Sequence, residues 1–177
     1  MVLWGALLVL VAVAAVTDVL WHRIYNWNTY PGMLLGLSLR GALEGWSATQ
    51  EGLRGLVVCG GILLLCAAMF PIGGGDAKLI AMMGSFLGMD LGLEAVLWTF
   101  ILAGVLAVAW LIWQFGVIGI ARACGRQVSR IWRARGWTPL TDAERKPLEQ
   151  PLFLAPAGLL ACLVVTWPDW QHWFAQR

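Results

Sequence analysis

Met1 to Leu20 reads MVLWGALLVLVAVAAVTDVL, and Asp18 is its single ionisable side chain. A helix of about 20 apolar residues matches the ~30 Å hydrocarbon core of a bilayer. Working outward from this stretch, further apolar runs fall at Trp27 to Leu43, Leu53 to Phe70, Ile72 to Met89, Leu91 to Ile120 and Pro151 to Trp167. Arg40 interrupts the end of the second run, and the fourth has only the short stretch Leu79 to Met89 beyond Lys78, so these two are the weakest of the six. The whole chain follows the same pattern, with 60% hydrophobic and 12% charged residues and a mean hydropathy of +0.75. Soluble globular domains carry about 45–50% apolar and about 25% charged residues, so that class is excluded. Backbone polar groups in lipid must be satisfied within the segment, which leaves helices as the plausible spanning structure and excludes sheet. The expectation is an all-α, polytopic integral membrane protein of about six transmembrane helices, forming one domain over residues 1–177. The first run lacks the basic flank and small-residue cleavage site of a signal peptide, so it is expected to be a retained span.

Six crossings put the segments at Trp21 to Asn26, Gly73 to Lys78 and Ala121 to Gln150 on one side. That side holds Arg23, Lys78, Arg122, Arg126, Arg130, Arg133, Arg135, Arg145 and Lys146, against Arg40, Arg54 and Arg177 on the other. The positive-inside rule makes the basic side cytoplasmic and places both termini outside, as expected of a multi-pass protein of the inner membrane. The arginine-rich stretch 121–150 is expected to set topology rather than bind nucleic acid. Trp21, Trp27, Trp46, Trp132, Trp137, Trp167, Trp170 and Trp173 all sit near proposed span ends, where indole rings anchor a protein at the interface. Cys59, Cys66, Cys124 and Cys162 form no CxxC pair, and His22 and His172 lie in distant segments. Zinc needs several converging ligands, so neither a metal site nor another cofactor is expected.

Ionisable groups inside the apolar runs are few: Asp18 near the end of the first, and Asp76 and Lys78 at the junction of the third and fourth. A charge in the hydrocarbon region costs at least ~2.5–3.5 kcal/mol, so an intramembrane acid is a functional-site hypothesis by default. Seventeen residues before Asp18, at about 1.5 Å each, carry it about 26 Å inward from the outer face. Two further crossings return the chain to the same face at Asp76, so the two acids are able to meet near the cytoplasmic edge. Two carboxylates held within a few ångström share a proton, leaving one as base and one as acid. Such a pair can activate water and protonate a peptide carbonyl without a covalent intermediate. Lys78 either tunes this pair by its charge or snorkels to the interface. Gly73, Gly74 and Gly75 form either a flexible turn or a backbone against which an extended peptide can lie.

GGGDAKLIAMMGSFLG, Gly73 to Gly88, closely resembles the second motif of the type IV prepilin peptidases, membrane aspartyl proteases of the GxGD class. Their first motif places an aspartate at a span end, then a basic residue and Ile-Pro-Asn. DVLWHRIYN offers Asp18, Arg23, Ile24 and Asn26 at the same spacing, with Tyr25 in place of the proline. PLFLAPAGLLA, from Pro151, resembles the family's final helix. The resemblance implies that Asp18 and Asp76 are the catalytic pair, with Gly73, Gly75, Lys78, Arg23 and Asn26 around them. It further implies cleavage of the leader peptide of prepilin or pseudopilin precursors at the cytoplasmic face. Longer members also N-methylate the new terminus through a region with two zinc-binding CxxC pairs. This chain has no such pairs and looks like the short, peptidase-only form found with Flp or Tad pili.

Other classes compete. The presenilin and signal-peptide-peptidase group shares GxGD, but its first acid sits in a YD motif rather than the TDVL of Thr17 to Leu20. Proton-coupled transporters and channel subunits also bury acids, though commonly near the midplane between repeats. In a purely structural membrane partner the acids would simply pair with Lys78 or Arg23.

Overall fold

The computed structural model describes residues 2–69, 73–134 and 154–175, and every element among them is helical. The elements are α1 (Val2–Trp21), α2 (Asn26–Glu44), α3 (Trp46–Met69), α4 (Gly74–Ala134) and α5 (Leu154–Ala175). The chain divides into two compact units, one of residues 1–103 with 153–177 and the other of residues 104–152. Val2–Trp21, Trp46–Met69 and Gly74–Gln114 are long and apolar enough to cross a membrane, and Leu154–Pro168 is a shorter apolar helix. The all-helical expectation therefore holds among the described residues, whereas three candidate spans stand where about six were expected. The shortfall has identifiable causes. α2 carries Asn26, Asn28, Arg40 and Glu44 and encloses Pro31, so its composition is too polar, and α4 contains more than one rod.

α4 is a continuous run of helical residues that turns back on itself at Gly88. A Cβ built on Gly158 would lie 3.4 Å from Met83 Sδ and 3.9 Å from Thr99 Cγ2. On a straight helix those two residues would stand about 24 Å apart. In the same way, a Cβ on Gly92 would approach Gly84 Cα to 3.5 Å. Gly88, with φ 81°, supplies the left-handed conformation that ends a helix without a steric cost. The first limb, residues 74–87, therefore lies antiparallel to the limb that begins at residue 89.

This first limb is the centre of the larger unit. From Ala77 to Gly88 every residue is buried except Lys78, and an all-round buried helix is one packed on every side. α1 contributes the stripe Leu3, Leu7, Val11 and Ala14 to the same core as Leu79, Ile80, Met82, Met83 and Phe86. α1 also packs against α2 and α5, and α2 against α3. Within lipid the apolar effect does not drive helices together, so close packing of small residues has to do so. A Cβ on Gly55 of α3 would run into the carbonyl oxygens of Gly84 and Gly88, so these backbones touch directly. Asn28, buried on α2, donates its Nδ2 to Leu10 O of α1 at 2.9 Å.

Arg40, half-hidden near the end of α2, donates Nη1 to Phe86 O at 2.8 Å and lies 3.6 Å from Glu44. The last carbonyls of a helix lack intrahelical partners, and here a guanidinium satisfies one at the C-terminal end of the first limb. In the larger unit Arg40 and Gly88 mark the end opposite Asp76. The smaller unit contains the continuation of α4 from Gly104, where Trp110 and Trp113 meet edge to face with centroids 5.4 Å apart. The basic stretch expected at 121–150 is helical as far as Ala134, and residues 135–150 lie outside the described residues.

Arg40→Met leaves Phe86 O without its charged donor and is expected to cost about 1–3 kcal/mol, the scale of an unsatisfied buried acceptor. Arg40→Lys, which can still reach one carbonyl, should lose less. Thermal unfolding in mild detergent measures both; equal stability of wild type and Arg40→Met would remove the capping role.

Candidate active site

The last turn of α1 holds Asp18, and the chain leaves that helix at once. His22 takes φ 52°, and its N–H donates to Asp18 O at 2.8 Å, closing the helix with a residue that adopts this conformation uncommonly. After Arg23 and Ile24, Tyr25 forms the N-cap of α2 with φ −83° and ψ 136°. The N–H groups of Asn28 and Thr29 reach Tyr25 O at 3.1 and 3.3 Å. That φ lies close to the value at which proline is fixed, so Tyr25 holds a backbone near one that proline adopts.

At the start of α4, Gly73 caps the helix and Asp76 occupies its third position. Asp76 N–H donates to Gly73 O at 3.1 Å, and the Asp76 carboxylate accepts a hydrogen bond from the Gly73 backbone. This return of an acidic side chain onto the capping residue is half of a capping box, and it places a carboxylate where the helix dipole favours one. Asp18 has a corresponding arrangement with a different helix. Its carboxylate takes a hydrogen bond from the backbone of Ala155, the second residue of α5, while Oδ2 is buried without a partner among the described residues.

Asp18 and Asp76 act on each other electrostatically, so the fold brings together two acids that are far apart in sequence. His22 also acts on Asp18 by its charge. Gly75 lies against the link between α1 and α2: a Cβ there would come within 3.1 Å of Ile24 Cβ and 3.7 Å of Ile24 O. Lys78 Nζ donates to Asn26 Oδ1 at 2.8 Å and stands 5.2 Å from the centroid of the Tyr30 ring. Arg23 is exposed on the link and makes no hydrogen bond or ion pair among the described residues. No group of three or more potential metal ligands occurs among the described residues.

Among known protein families, the type IV leader peptidase family matches residues 5–120, well over half of the chain. The chain belongs to the type IV leader peptidase family. No curated protein and no solved structure matches it. Family membership implies a peptidase that processes type IV prepilin-like substrates, and the matched residues include both acids and every glycine around them. The helix that presents Ala155 to Asp18 lies beyond the matched stretch.

Three residues around the two acids escape a reading of acids and glycines. His22 stands one helical turn after Asp18, a spacing that puts the two on one helix face. Ala155 acts through its backbone, and Pro156 beside it is the available signal, since proline is favoured in the first turn of a helix. Tyr30 follows Asn26 by four residues and so shares its face of α2.

Gly75→Val should disrupt the contact with Ile24 and sharply reduce peptidase activity. Gly74→Ala meets nothing within 4 Å and should be tolerated. Comparing the two variants for cleavage and for thermal stability in detergent separates a specific contact at Gly75 from a general need for a flexible glycine turn; similar losses in both would favour flexibility.

Proposed function

We propose that the protein is an aspartic-type endopeptidase that removes the leader peptide from prepilin or pseudopilin precursors at the cytoplasmic face of the inner membrane. The observation that carries this reading is the electrostatic interaction of Asp18 with Asp76, within a chain of the type IV leader peptidase family. Held in reach of each other, one carboxylate takes a proton from water while the other, protonated, hydrogen-bonds the scissile carbonyl oxygen. Water oxygen adds to the carbonyl carbon and gives a tetrahedral diol. A proton then passes to the amide nitrogen, the C–N bond breaks, and a carboxyl and an amine terminus leave. The two acids exchange protonation states over the cycle, so no cofactor or covalent enzyme intermediate is required.

The helix ends at Asp18 and Asp76 support the same reading. Each carboxylate meets the N-terminal end of a helix, and fixed backbone donors can hold a negative charge without a cation that would lock it into an ion pair. Among these 177 residues Cys59, Cys66, Cys124 and Cys162 form no CxxC pair, and the activity proposed for this chain is the peptidase step. The nine basic residues assigned to one side support a cytoplasmic site and external termini.

Asp18→Asn and Asp76→Asn should each abolish cleavage of a co-expressed prepilin while the protein remains inserted and folded. An amide keeps the shape but cannot exchange the proton. Near-normal cleavage by either variant would strip that residue of its proposed role.

Topology is open to a separate test. In a Cys124→Ser background, a reporter cysteine at Arg130 should label only from the cytoplasm and one at Gln50 only from outside. Labelling of both from one side would overturn the proposed orientation.

A further inference from the structure

Lys78 lies two residues beyond Asp76, yet its interactions lead away from the acids. Its Nζ donates to Asn26 Oδ1 at 2.8 Å, a distance typical of a hydrogen bond with a charged donor. The amide orientation follows from chemistry, since an ammonium has only donors and can meet only the oxygen of the carboxamide. On the other side of the ammonium is the Tyr30 ring, 5.2 Å away and within range of a cation–π contact. Asn26 and Tyr30 are four residues apart on α2, so one face of that helix holds the lysine at two points.

The partners lie on the two segments that carry the acids. Asn26 is the first residue of α2, at the end of the short link that leaves α1 just past Asp18. Lys78 is fixed on the first limb of α4 two residues beyond Asp76. A hydrogen bond between Asn26 and Lys78 therefore ties the Asp18 segment to the Asp76 segment. The contact of Gly75 with Ile24 brings the same two segments together at a second point.

We infer that Lys78 is a positioning residue that sets the separation of Asp18 and Asp76 by clamping Asn26 and Tyr30, rather than a group that tunes the acids or binds substrate. This rests on the proposed peptidase function and adds a specific role to it. Displacement of reacting groups by about 1 Å can cost about 100-fold in rate, so the clamp acts on turnover and leaves substrate affinity alone. Its two partners are not equivalent. The hydrogen bond fixes distance along one direction, whereas the ring holds the ammonium against swinging out to the interface.

The test is a double-mutant cycle on leader cleavage by the full-length protein in detergent, with kcat and KM measured separately. Lys78→Met and Asn26→Leu should each lower kcat by about 10- to 100-fold with KM unchanged. The double variant should fall no further than the worse single one, as expected of residues that act as a unit. Asn26→Asp, which can still accept from the ammonium, should recover much of the loss, and Tyr30→Phe should exceed Tyr30→Leu. A double variant whose loss is the product of the single losses, or a loss carried in KM, overturns the inference. If Lys78→Met does not fold, Asn26→Leu against Asn26→Asp decides it: recovery by Asp supports the clamp and equal loss overturns it. Absence of any leader cleavage by the wild type would instead overturn the peptidase reading on which the inference rests.

Discussion

The first limb of α4 is buried on every side, and a helix in that position must have its unpaired end groups satisfied by protein, since lipid offers no partners. The rest of the larger unit follows from how this is done. At the C-terminal end Gly88 turns the chain and Arg40 donates to Phe86 O. At the N-terminal end Gly73 and Asp76 cap each other, and Lys78 is drawn to Asn26. α2 reaches both ends, through Asn26 at its start and Arg40 fourteen residues later, and so runs parallel to the limb it supports. An acid that caps the central helix is held by the same contacts that hold the fold, which leaves little freedom in its direction.

Small residues make this arrangement possible. The touching backbones at Gly55, Gly84 and Gly88 bring α3 against both limbs of α4, and the van der Waals contact of bare backbone is a main source of helix association in lipid. Larger side chains at these positions would widen the bundle, moving α2 and its two polar contacts off the limb. Packing at one end and chemistry at the other are therefore coupled along a rod only about 21 Å long.

The candidate acids were legible because ionisable residues are scarce in the apolar runs, which singles out Asp18 and Asp76, and the two act on each other electrostatically. The path between them was less so: two crossings were expected there, and of α2 and α3 only α3 is long and apolar enough to span a membrane. Charge and hydropathy were less informative about partners. Arg40 looked like a flaw in a weak span, since hydropathy treats every cation as a cost and cannot register a carbonyl 46 residues away in sequence. In sequence Lys78 reads as a tuner or a snorkeller because its nearest acid is Asp76; its partner Asn26 is a contact across helices. The turn at Gly88 was visible only as the boundary between two apolar runs. Ala155 was invisible, since any residue can offer a backbone N–H and only the fold decides which one faces Asp18.

The distribution of cations around the acids bears on why the site stands at a helix junction. A lysine two residues along a helix from an aspartate projects from a different face, so it can pair elsewhere and leave the carboxylate outside a fixed ion pair. Here Asn26 and Tyr30 take up the ammonium, while helix ends supply positive potential at Asp18 and Asp76, joined at Asp18 by the charge of His22. Dipoles of this kind stabilise charge without binding the oxygens in a fixed ion pair, and the Oδ2 atom of Asp18 remains without a partner among the described residues. In the proposed mechanism that oxygen and its counterpart on Asp76 have to trade a proton with water. Diverting Lys78 onto α2 leaves them able to do so while using its charge to hold the two segments together.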